Sequence, residues 1–72
     1  MNFNERHFLV LINVDGEIDK LETSVSSWWI DRPRKRSLKE EIIVCARIEH
    51  EYDIPVKPED CEVFEIVKVK ID

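Results

Sequence analysis

Four side chains carry the chemistry that is looked for first: His7, Cys45, His50 and Cys61. Thiolate and imidazole are the donors that zinc prefers, and four of them would make a tetrahedral set. The spacing argues against it. Cys45 and His50 are five positions apart in a stretch that reads as helix, which turns them about 140° from one another. A chelating helical pair needs a separation of roughly three or four. His50 is flanked by Glu49 and Glu51, an arrangement that can tune an imidazole into a base but also describes an ordinary exposed helix end. The chain has no glycine-rich phosphate loop, no G-x-S-x-G elbow and no Cys-x-x-Cys pair. No catalytic residue, metal ligand or cofactor is assigned on this basis.

Binding chemistry is better represented. Trp28-Trp29-Ile30 is the most unusual local feature, because a tryptophan buries about 200 Å² and is favoured as an interface anchor. In an extended chain adjacent side chains point opposite ways. One indole is therefore expected to close the core and the other to face outward, as a partner anchor or a dimer contact. A basic cluster follows at once: five of the eleven cationic residues, Arg32, Arg34, Lys35, Arg36 and Lys39, fall within eight positions. Trp28, Trp29, Arg32, Arg34, Lys35 and Arg36 are the candidate partner-binding residues. Further along, Glu49, Glu51, Asp53, Glu59, Asp60, Glu62 and Glu65 face Lys57 alone. This acidic run is the second candidate patch, able to present itself to a basic partner as a decoy.

Both clusters sit where a helix would not choose them. Cations are disfavoured at a helix start and anions at its end, by about 0.3–1 kcal/mol each. The helix in question is read over Ser37 to Asp53. Ser37 followed by Glu40 is a capping-box signature. Leu38, Ile42, Cys45, Ile48 and Tyr52 fall on one stripe at helical spacing. Ile54-Pro55 ends the run, since proline drives the residue before it out of helical geometry.

The remaining elements are strands. His7 to Val14 is apolar on both faces, which marks a central strand. Asp15-Gly16 is a hairpin turn signal, so Glu17 to Val25 is expected to return as a polar edge strand, although Ile18, Leu21, Val25 and Trp28 also fit helical spacing. Residues 1–6 are expected to be flexible. Residues 26–36 are read as a connector loop holding the tryptophan pair and the basic cluster. Cys61 to Ile71 is the last strand, with Val63, Val67, Val69 and Ile71 on one face, Phe64 and Ile66 on the other, and Lys68 and Lys70 wetting the end of that second face. The result is a single small α+β domain over residues 1–72, β-β-α-β, with a three-stranded antiparallel sheet in the order 2-1-3. One helix covers one face, the one carrying Phe8, Val10, Ile12, Val67 and Val69. Leu9, Leu11, Phe64 and Ile66 on the other face await a cover: the tryptophans, another protein, or a second copy in a homodimer.

Seventy-two residues with a net charge of −5 leave little room for a deep cleft, and a chain of this size buries only about 60% of its unfolded surface. No apolar run approaches a membrane span, and the start of the chain has no basic region leading into a signal core. A cytoplasmic location is expected, with Cys45 and Cys61 reduced. The expected function is a small non-enzymatic protein–protein interaction module, inhibitor or regulator, of the compact acidic kind that phages and mobile elements encode. The alternative is a nucleic-acid-binding regulator that uses the loop 32–36 and a tryptophan stacking platform.

Overall fold

The computed structural model describes residues 4–67 and Ile71. The order of elements is β1 (Glu5–Val14), β2 (Glu17–Ser26), α1 (Ser27–Asp31), α2 (Leu38–Glu49), a 3-10 turn (Pro58–Asp60) and β3 (Cys61–Ile66). The three strands form one antiparallel sheet in the order β2-β1-β3. This is the expected β-β-α-β topology with β1 at the centre.

The hairpin follows from its turn. Asp15 and Gly16 both have positive φ, 53° and 87°, as a type I′ turn requires. The Gly16 N–H donates to the Asn13 side chain at 2.9 Å. With two turn residues the register is fixed: Val14 stands opposite Glu17, Leu9 opposite Glu22, His7 opposite Ser24. On the other side of β1, Leu9 stands opposite Phe64 and Ile12 opposite Cys61.

Strand alternation then sorts the sheet into two faces. Phe8, Val10, Ile12, Leu21, Thr23 and Cys61 turn to one side and are buried there with Ile30, Ile42, Ile43 and Ala46. That is the core, and α2 lies over it. Ser37 caps α2 by accepting a hydrogen bond from the Glu40 N–H at 3.2 Å. The Thr23 hydroxyl donates to the Glu49 carboxylate, tying the end of α2 to β2. Glu41, also buried, pairs with Arg32 at 3.6 Å.

Several expectations are corrected. The helix ends at Glu49, a turn before Ile54-Pro55. The Glu51 N–H reaches the Ile48 carbonyl at 3.2 Å and the Tyr52 N–H the Arg47 carbonyl at 2.8 Å. Glu51 itself takes φ +51°. These are the bonds of a Schellman end, and they bring the Tyr52 hydroxyl to Asp19 at 2.8 Å. Ile48 does not belong to the buried stripe and is 73% exposed. The buried arc is centred on Ile42 and Ala46, and Ile48 lies about 160° round the helix from Ala46. Ile43 faces inward instead.

Segment 26–36 is not wholly loop, because Ser27–Asp31 makes the short helix α1. Glu5 and Arg6 belong to β1 rather than to a loose terminus. β3 ends at Ile66. Val67 and Ile71, expected on the helix-covered face, are 79% and 91% exposed. The expectations for residues 1–3, Lys68, Val69 and Lys70 lie outside the described residues.

Candidate functional site

The tryptophan pair sits on α1, where successive side chains are about 100° apart rather than opposed. Ile30 is buried in the core and Trp29 packs against it, leaving Trp28 66% exposed. The turn that carries Trp28 is held at both ends. The Ser27 N–H and hydroxyl both donate to the Asn4 carbonyl, at 2.9 and 2.7 Å. Arg34 donates to the Ile30 carbonyl. The Arg32 guanidinium lies 4.3 Å from the centroid of Trp29 while pairing with Glu41, so a stacked cation and a buried carboxylate lock the exit from α1. Arg32 is extended there, as the residue before Pro33 must be.

The basic cluster is thus divided. Arg32 and Arg34 engage their own chain, whereas Lys35, Arg36 and Lys39 are exposed and form no ion pair among the described residues. The acidic run is divided too. Glu65 gives both oxygens to Arg6, at 2.7 and 2.9 Å. That contact holds the Glu65 carboxyl below its usual range. Glu49 takes the Thr23 hydroxyl. Glu51 and Asp53 border a shallow hollow with Val44, Arg47, Ile48 and Tyr52. Glu59 and Asp60 lie on the 3-10 turn, and Glu62 stands on the sheet face away from α2.

That second face is open. Its rows can be read from the register: Ser24, His7 and Ile66; Glu22, Leu9 and Phe64; Lys20, Leu11 and Glu62; then Ile18 beside Asn13. Leu9 and Leu11 are partly buried, while Ile18, Phe64 and Ile66 are exposed. Neither indole covers this face, because Trp29 packs on the opposite side and Trp28 points to solvent.

One arrangement escaped the reading of the sequence. The Ser24 hydroxyl and the His7 Nδ1 are 2.6 Å apart, at a hollow of about 470 Å³ shared with Glu22, Thr23, Glu49, His50 and Ile66. The hairpin register was the signal, since residues opposed across a two-residue turn have positions with a constant sum. A hydroxyl beside an imidazole is the start of a nucleophile, but a triad also needs a group that orients the ring. Among the described residues no carboxylate bonds His7. The His50 Nε2 meets the Glu22 carbonyl at 2.6 Å instead, which occupies a backbone acceptor on the edge strand.

Burial raises the pKa of both the Cys45 and the Cys61 thiol, so neither is an activated thiolate. Among the described residues no group of three His, Cys, Asp or Glu side chains is placed to hold a metal ion, and no helix is long and apolar enough to cross a membrane. No protein-family model, no curated protein and no solved structure matches the chain. Its functional reading rests on geometry and charge.

Proposed function

We propose that this chain is a small, non-enzymatic, cytoplasmic protein-interaction module, an inhibitor or regulator whose anchor is Trp28. One observation carries the reading. A large indole, 66% exposed, projects from a short helix whose own backbone is pinned to Asn4, just ahead of β1, and whose next turn is locked by Arg32. An aromatic side chain held in place before contact loses little freedom on binding, which is what makes a good anchor. Lys35 and Arg36 on the same connector would steer an acidic surface of the partner toward it.

A nucleic-acid partner is the weaker reading. Two of the five cations, Arg32 and Arg34, are spent inside the chain, and a net charge of −5 opposes a phosphate backbone.

The test is affinity capture from a lysate of the source organism with wild-type, Trp28→Ala and Lys35→Glu/Arg36→Glu baits. Trp28→Ala is expected to leave the unfolding free energy within about 0.5 kcal/mol while losing the retained protein. The charge-reversed bait should retain less, most visibly at low salt. An identical set of retained proteins for all three baits would overturn the reading. A gel shift with oligonucleotides that fades steeply with salt would transfer the surface to nucleic acid.

A further inference from the structure

We infer that the open sheet face binds a second copy of this chain, face to face, about a two-fold axis that runs parallel to the sheet, about 5 Å above its open face, and at right angles to β1 between Leu9 and Leu11. The inference stands apart from the Trp28 reading, since Trp28 is not on this face.

Three observations lead to it. First, the face is a lengthwise mosaic. The β1 and β3 columns carry Leu9, Leu11, Phe64 and Ile66, flanked by His7, Asn13 and Glu62, while the β2 column is charged at its centre, with Lys20 and Glu22 on adjacent rows. A monomer leaves this surface wet, and apolar patches rimmed by charge mark association sites.

Second, the β1 and β2 columns of the two central rows complement one another under this rotation. The axis carries each column onto itself and exchanges the two central rows. Leu9 then lies over Leu11 of the second copy, Lys20 over Glu22 of the second copy, and at the β3 rim the exposed Glu62 over Phe64 of the second copy, where its carboxylate turns outward to solvent. Each contact occurs twice, as an isologous interface demands. Neither Lys20 nor Glu22 has an ion-pair partner among the described residues, so both are available for this exchange. Aligned stacking of two twisted sheets about 10 Å apart is a standard packing.

Third, the rival mode, pairing along the β2 edge, is obstructed. His50 occupies the Glu22 carbonyl on that edge.

The size of the face sets the strength. Three strands about 4.8 Å apart and four rows about 6.8 Å apart make a footprint on the order of 300 Å² per copy. That is well under the ~800 Å² per partner of a standard interface. The dimer belongs to the weak class, with dissociation at roughly 100 μM or above.

Sedimentation equilibrium from low micromolar to submillimolar concentration tests this on the full chain. Circular dichroism confirms that each variant is folded. Wild type is expected to show a reversible monomer–dimer equilibrium. Lys20→Glu and Glu22→Lys are exposed changes that each set like charges over one another, and each should weaken the dimer about tenfold. The double swap restores the pairing and should recover wild-type association to within about threefold. Leu11→Ser should abolish the dimer and leave Trp28-dependent capture intact, which separates failure of this inference from failure of the Trp28 reading. A wild-type chain that stays monomeric throughout would overturn the proposal, and so would a dimer indifferent to the single swaps or not rescued by the double one.

Discussion

Glu65 stands opposite Phe8 in the ladder and gives its carboxylate to the Arg6 guanidinium, which itself lies over the Phe8 ring at 5.5 Å. The bond to Arg6 lowers the Glu65 pKa. A carboxyl depressed in the folded state adds stability that is present above its unfolded value and disappears as the pH falls through the folded value. Glu65→Gln should therefore flatten the acid limb of the stability curve. Urea midpoints taken from neutral pH down through the carboxyl range will show this, and identical acid slopes for the two proteins would refute it. Tyr52 is the alkaline counterpart. Burial, aided by the bond to Asp19, pushes its phenol up to about 12, so its contribution is complete below about pH 10 and is lost progressively as the pH rises from there through about 12. Neither contact was legible in the chain itself. Arg6 and Glu65 are 59 positions apart, and only the β1–β3 register brings them together.

At the scale of elements, β1, its turn and β2 could be read almost completely, because a two-residue turn fixes both the pairing and the face of every side chain. The start of α2 was equally plain, since the Ser37 hydroxyl needs only its own neighbours to cap the helix. The buried face of α2 was legible only in part. Of Leu38, Ile42, Cys45, Ile48 and Tyr52, Ile42 is buried and Leu38 and Tyr52 pack against the core, but Ile48 points away and Ile43, Ala46 and Glu41 are buried with Ile42 instead. A helix with isoleucines on several sides can roll, and the return segment that brings in Tyr52 and Val56 decides which way. The contrast is measurable by urea unfolding. Ile42→Ala removes a side chain with no exposure and is expected to cost about 2–5 kcal/mol. Ile48→Ala is expected to change stability by about 0.5 kcal/mol or less. Equal losses at the two sites would mean that α2 is rotated from the orientation described. The short helix α1 was missed for a related reason: its serine and tryptophans are indifferent helix formers, and its bonds to Asn4 come from the far side of the hairpin.

For the molecule as a whole, Cys61 reports on opening of the core. It is 2% exposed between β3 and its neighbours, and burial keeps its thiol protonated. Alkylation of Cys61 should therefore proceed only as fast as the fold opens globally, whereas the partly exposed Cys45 should react through smaller fluctuations. Mass spectrometry of alkylated peptides distinguishes the two, and equally fast labelling of both would show that the β3 side opens on its own. The candidate surfaces follow the same division between local and global. That a tryptophan would project, and that one sheet face would lack a cover, could be argued from residue types and from the count of helices. Which indole projects, and which cations remain free, could not. Trp28 is outward because Ile30 enters the core and Trp29 takes Arg32, and the acidic run is scattered because Glu49, Glu62 and Glu65 leave on different faces. The amino-acid sequence by itself determined the strand order, the hairpin register, the helix start and the excess of apolar surface, because turns, caps and periodicity act between near neighbours. The roll of α2, the choice of anchor and the sharing of charges were decided only by tertiary structure, because each depends on which distant side chain arrives first at a given buried or charged position.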